Sequence, residues 1–298
     1  MIASAVLSLV IFAAGARAVP LAADTTSSSA VVLAPSSSSS SRSFSATAGL
    51  VSSSSSSKAT TTSSSSASPS PTVLTPAKFL NLTSWSVQMP VGATANSTTF
   101  QQVYQPALDK FTSPYFYVNA AQTAVVFNTP NTGITTGGTT SPRTELRQIT
   151  PVGTTGWDAY SSTWHNLTIS AQIDRYPQGY NTSSLVIFAQ ILSPTQGAEV
   201  IVRARDKKLI EMCTKTLGPC INLDTNYSFG EPFTFAFSAS NNMTLVTYRK
   251  GTVSALVVVP LRPYPDFVFK TGSYCLMTPT TFPATEYCQV TMTSLKVV

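Results

Sequence analysis

The chain has 298 residues, of which 10% are charged, with a formal net charge of +6, four cysteines and a single histidine. One histidine and no C-x-x-C pair exclude the usual zinc arrangements. The basic residues are not gathered on a helix, so a nucleic-acid surface is not indicated.

Residues 1–18, MIASAVLSLVIFAAGARA, carry an apolar run that ends in Ala16-Arg17-Ala18, the small-x-small pattern of a signal-peptide cleavage site. The run is too short to span a bilayer. Secretion to the extracellular space is therefore expected, with no membrane anchor. Residues 19–74 are dominated by Ser, Thr, Ala and Pro. Such a segment cannot bury enough apolar surface to offset its ordering entropy. It reads as a disordered stalk, either O-glycosylated or a plain linker.

Residues 75–298 then form one domain. Arg17, Arg42, Lys58 and Asp24 lie outside it, which leaves 15 basic and 11 acidic residues and a net charge of +4. That balance suits an anionic ligand. Six N-x-Ser/Thr sequons, at Asn81, Asn96, Asn166, Asn181, Asn226 and Asn242, fit a secreted glycoprotein and mark expected surface positions. Four cysteines fit an oxidising compartment and allow three pairings. Cys213 and Cys220 flank a turn-like TKTLGP, so they are expected to close a hairpin, leaving Cys275 and Cys288 as the second pair.

In chain order, FQQVYQPALDKF is the best helical candidate, cut to a turn or two by Pro106. TAVVFNT, SLVIFAQIL, EVIVRARD, FTFAFSAS, MTLVTYR, ALVVVPL and CQVTMTSLKV are short β-branched and aromatic runs separated by turn residues. Many short strands predict an all-β sandwich of two antiparallel sheets, a jelly roll with a concave groove.

Alternation assigns faces. Arg143, Glu145 and Arg147 point one way, with Thr144, Leu146 and Gln148 opposite. Val186, Phe188, Gln190 and Leu192 share a face. Arg203 and Arg205 oppose Val200, Val202 and Ala204, and Tyr287 and Gln289 oppose Cys288 and Val290. A sheet face lined by Arg, Gln and Tyr suits a sugar-acid chain, because Arg grips carboxylates through two parallel hydrogen bonds. The bland alternatives are a salt-bridge ladder at Arg143, Glu145 and Arg147, a surface Gln190, and a Tyr287 that caps the core. A glycoside hydrolase would want two carboxylates flanking the bond, and no strand presents such a pair on one face.

Four stretches together resemble polysaccharide lyase family 7, the alginate lyase jelly rolls; the related glucuronan lyase family shares that fold. FLNLTSWSVQMPVG is similar to the family's F-x-L-x-x-W-x-x-x-x-P opening. SPRTELRQ resembles R-[ST]-E-[LV]-R, and VIFAQIL resembles the strand carrying Q-[IV]-H. SYCLMTPTTFPATEYCQV resembles Y-F-K-A-G-x-Y-x-Q with an insertion before the last tyrosine. The likeness covers about residues 79–298.

It implies a lyase acting on an acidic polysaccharide without cofactor or metal, as a monomer, with no nucleic-acid or membrane partner. Arg143 and Gln190 match the residues that engage the substrate carboxylate, and Tyr287 matches the catalytic tyrosine. Arg147, Gln289, Arg203, Arg205 and Tyr274 would line the groove, with Glu145 holding the arginines. Two positions depart: the family's histidine corresponds to Leu192 and its lysine to Leu276, while the lone His165 lies on an earlier strand. The implied outcomes are a retuned enzyme favouring mannuronate or glucuronate linkages, or an inactive lyase-like glycan-binding protein.

Overall fold

The computed structural model describes residues 74–94, 96–149, 156–177, 185–206, 208–215, 218–278 and 280–298. The expected signal peptide, the stalk up to residue 73 and the sequon at Asn181 lie outside them.

Among the described residues, fifteen strands form two antiparallel sheets. The eight-stranded sheet runs β10 (Ile221–Asp224), β9 (Leu209–Thr214), β8 (Gly197–Arg205), β7 (Leu185–Ser193), β14 (Val268–Cys275), β5 (Arg143–Gln148), β1 (Trp85–Gly92), β2 (Phe100–Val103). The seven-stranded sheet runs β13 (Val253–Pro260), β12 (Met243–Lys250), β11 (Phe233–Ser240), β6 (His165–Arg175), β15 (Tyr287–Val297), β4 (Val125–Pro130), β3 (Phe116–Val118). This is the expected jelly-roll sandwich. All seven sequence-predicted strands are present.

The helix expected in FQQVYQPALDKF is not. Its first half pairs with β1 as β2, and only Ala107–Lys110 makes a 3-10 turn. Tertiary pairing overrides a short local pattern there. A five-residue helix, Pro76–Leu80, precedes β1 and starts with proline at its first position, where the missing N–H costs nothing.

The inner faces of the two sheets meet through aromatic side chains. Phe188 of β7 packs on Phe233 and Phe235 of β11, at 5.0 and 5.7 Å between ring centres, and Phe269 of β14 stacks on Phe237 at 6.0 Å. These contacts orient β7 and β14, and the outer face of the eight-stranded sheet follows by alternation.

Strict alternation fails within β7. Phe188 is in the core, yet Gln190 faces outward. The β7–β8 register slips between Ile187 and Ala189, leaving an extra residue in β7. Such a bulge re-aims every side chain beyond it. It groups Gln190 and Leu192 on the outer face, away from Val186 and Phe188.

Both expected disulfides form. Cys213–Cys220 straps β9 to the start of β10, and Cys275–Cys288 joins the end of β14 to the start of β15, across the two sheets. Of the sequon asparagines, Asn81, Asn96 and Asn226 are exposed, and Asn166 and Asn242 are half-buried.

Candidate active site

The outer face of the eight-stranded sheet carries a buried ionic network at its centre. β5 presents Arg143, Glu145 and Arg147, because Leu146 and Thr144 turn inward; the Thr144 hydroxyl donates to the Asn128 carbonyl of the opposite sheet. β14 lies between β5 and β7 and brings Lys270 opposite both Arg147 and Gln190.

Glu145 is the hub. Arg143 Nη1 lies 3.0 Å from its Oε2, Lys270 Nζ lies 2.5 Å from the same oxygen, and the Gln190 amide donates to Oε1. Lys270 also donates to Gln88 Oε1 of β1 at 2.8 Å. Arg143, Glu145, Gln190, Lys270 and Gln88 are all at least 95% buried.

Burial raises the Glu145 pKa, but the charges of Lys270 and Arg143 outweigh it and hold the carboxyl below its ordinary range. Burial pushes the Lys270 ammonium down to about 8, against the pull of Glu145. Two buried cations face one carboxylate, so the cluster keeps a net positive charge that is short of an anion. Arg147, half-buried beside it, makes no ion pair among the described residues. This cluster is therefore not the solvated salt-bridge ladder that the spacing also allowed.

Tyr274, four residues after Lys270 on the same face, lies under Arg143, with the guanidinium carbon 3.7 Å from the ring centre. Burial raises its pKa and Arg143 pulls it back, with a net upward shift.

Tyr287 is elsewhere. It opens β15 in the seven-stranded sheet, with its ring under Arg175 at 4.3 Å, and Arg175 pairs with Glu286. Gln289 is on the same strand and donates to Asp174. The expectation that Tyr287 and Gln289 share a face with Arg143 and Gln190 is thus corrected. The reason is the disulfide: Cys288 sits across the sandwich from Cys275, so the chain has changed sheets before it reaches Tyr287.

The lysine assignment changes with it. The motif Y-F-K-A-G-x-Y laid on Val268–Tyr274 matches Phe269, Lys270, Gly272 and Tyr274 with no insertion. Leu276 then stands at the motif's final glutamine, not at its lysine. Lys270 and Gln88 were missed in the sequence. The signal was FVFKTGSY, a β-type run between Asp266 and the cysteine that alternates Lys270, Gly272 and Tyr274 on one face.

Arg203 and Arg205 share the outer face, further toward the β9 edge. Glu211 holds both, at 2.6 Å from Arg203 and 3.3 Å from Arg205. Leu192 is outward and half-buried, two residues past Gln190. His165 belongs to β6 of the other sheet and stacks on Trp157 with ring centres 4.9 Å apart, where burial lowers its pKa.

Structures of two alginate lyases superpose with TM-scores of 0.65. One, from Corynebacterium sp., is 27% identical over 75% of this chain and 97% of its own; the other, from polysaccharide lyase family 7, is 26% identical over 76% and 98%. The alginate lyase from Klebsiella pneumoniae, at 20% identity over 75% of this chain and 98% of its own, has a TM-score of 0.65 and shares the fold. A comparison with curated proteins finds no match. The family model described as alginate lyase matches residues 80–298, the whole of the β-sandwich. The chain belongs to the alginate lyase family, polysaccharide lyase family 7.

Proposed function

We propose that the chain is a secreted polysaccharide lyase that cleaves a uronate-containing polymer by β-elimination, with Tyr274 as the proton-transferring group. The observation that carries this reading is the stacking of Tyr274 under Arg143, within the buried Arg143–Glu145–Gln190–Lys270 network.

The proton at C5 of a uronate is poorly acidic until the adjacent carboxylate is neutralised. Arg143 and Gln190 supply hydrogen bonds to that carboxylate and to the enolate that develops from it, the logic of an oxyanion hole. Burial disfavours the Tyr274 phenolate and the Arg143 guanidinium offsets part of that cost; once ionised, the phenolate takes the C5 proton. The C5–H electron pair forms the C4=C5 double bond, the C4–O4 bond breaks, and the phenol returns its proton to O4. Glu145 receives no substrate proton in this scheme. Ionised by Lys270 and Arg143, it fixes Arg143 and Gln190 in place. Arg147 and, further along, Arg203 and Arg205 meet neighbouring carboxylates.

One group can serve as base and acid only if the C5 proton and O4 lie on the same side of the ring. That holds for β-D-mannuronate and β-D-glucuronate, and the relation is opposite in α-L-guluronate. Leu192 offers no second base, so mannuronate or glucuronate linkages are favoured. The same Leu192 supports one other reading, an inactive lyase-like protein that binds glycan.

The test is ultraviolet absorbance of the unsaturated product from polymannuronate, polyguluronate and glucuronan. Cleavage of the first or third with little of the second is expected. Equal initial rates on polymannuronate and polyguluronate contradict the stereochemical argument. No rate on any of them leaves the binding reading.

A further inference from the structure

The outer face of the eight-stranded sheet is charged at its centre but not throughout. Cross-strand register lays it out in rows. The first runs Lys270, Gln190, Ile201, Cys213; the next runs Val268, Leu192, Ala198. Ile187, immediately before the bulge, also faces outward, between Tyr274 and Arg203. None of Ile187, Leu192, Val268, Ile201 or Cys213 belongs to the hydrophobic core between the sheets. Along the row from Gln190, half-buried Ile201 and Cys213 therefore form an apolar strip beside the charged Arg203–Glu211 pair. Beside that strip a recess of about 170 Å³ opens, lined by Ala198, Ile201, Cys213 and Thr214, with Lys215 and with Glu199, whose carboxylate is held by Arg262. The Cys213–Cys220 disulfide backs it.

Bare uronate chains give such a surface little to bind: their substituents are hydroxyls and carboxylates, all costly to desolvate against leucine and isoleucine. An O-methyl ether would offer a methyl group alone, whereas an O-acyl ester offers a methyl group together with a carbonyl acceptor. The ester places a methyl group a few ångströms from the ring and a carbonyl oxygen beside it. Adjacent strands are about 4.8 Å apart, so Ile201 stands one strand spacing from Gln190, within reach of a substituent on the sugar whose carboxylate Gln190 engages. The exposed Lys215 ammonium, bonded to the Gln196 carbonyl at 2.6 Å, sits where an ester carbonyl would accept a hydrogen bond. Leu192, at the position of the family's histidine, is part of the same apolar strip.

We infer that this recess binds an O-acetyl group carried by the uronate chain, so that the protein prefers an acetylated polymer to the bare one. The inference rests on the lyase reading for its substrate, and the experiment separates the two. O-acetylated polymannuronate and the same sample after mild alkaline deacetylation are compared with the full-length secreted chain, reading kcat/KM from product absorbance. The acetylated polymer should be cleaved about threefold faster or more, the scale of one buried methyl group. Ile201→Asp should remove that advantage, bringing kcat/KM on the two polymers to the same value. Ala198→Phe, which fills the recess without adding charge, should do the same if Ile201→Asp fails to fold.

Equal kcat/KM on the two polymers overturns the inference and leaves the lyase reading standing. If neither polymer is cleaved, the lyase reading falls, and calorimetric titration decides the recess by itself. Tighter binding of the acetylated polymer, lost in Ile201→Asp, supports it; equal binding refutes it.

Discussion

At the scale of single residues, two tyrosines compete for one role, and position separates them. Tyr274 lies under Arg143 beside Lys270, and Tyr287 lies under Arg175 on the other sheet. Tyr274→Phe should lower kcat by about 10²- to 10⁴-fold, the usual worth of a general acid–base group, while polymer binding persists. Tyr287→Phe should leave turnover intact; a large loss there would overturn the assignment. Glu145 is 1% exposed and is the one carboxylate paired with two buried cations. Glu145→Ala leaves both buried without a counter-charge, which costs about 3–5 kcal/mol, read from the midpoint of urea unfolding. Lys270 gives the cluster a pH dependence. Its ammonium is charged below its pKa of about 8 and neutral above it, so the network loses positive charge as pH rises through that value. Polymer binding to Tyr274→Phe, which removes the effect of the phenol's own ionisation, should weaken across that window. In Tyr274→Phe/Lys270→Gln the step should vanish, with binding weak at every pH; persistence of the step would assign it to another group.

At the scale of elements, β14 holds the site together, and its shape depends on Gly272. That residue has φ +137°, and a Cβ there would meet the Thr144 carbonyl oxygen at 2.7 Å and Phe127 at 3.0 Å. It lies midway between Lys270 and Tyr274 and opposite Glu145 in β5. Gly272→Ala should destabilise the protein by about 1–3 kcal/mol and reduce activity further than thermal stability alone explains, because both flanking side chains shift. Matched activity at a temperature where the variant is fully folded would refute that coupling. β7 shows why an element can be recognised while its faces are misread. SLVIFAQIL is plainly a strand, but the extra residue near Phe188 changes which side chains share a surface. A bulge is decided by the neighbouring strands, and no residue within SLVIFAQIL announces it.

At the scale of the whole molecule, the Cys275–Cys288 bridge joins the two sheets, with Tyr274 next to one end and Tyr287 next to the other. The Cys275→Ser/Cys288→Ser double variant should lose about 3 kcal/mol of stability, as expected for a loop of this length, measured by denaturant unfolding. It should lose activity before it loses the sandwich. Removing Cys213–Cys220, at a sheet edge, should spare turnover on deacetylated polymer. The sequence by itself determined the all-β class, seven of the strands, both disulfides, and the Arg143, Glu145, Arg147 face. Each follows from period-two patterning, turn residues or cysteine spacing, which act within a few residues along the chain. The tertiary structure decided the rest: that Tyr274 and not Tyr287 stands beside Arg143, that Lys270 completes the network, and that Gln190 and Leu192 face outward. Those facts depend on which strand lies next to which, and on where the chain crosses between sheets. Pairing partners far apart in sequence are selected by core packing among residues such as Phe188, Phe235, Phe237 and Phe269, and a local pattern carries no record of that choice.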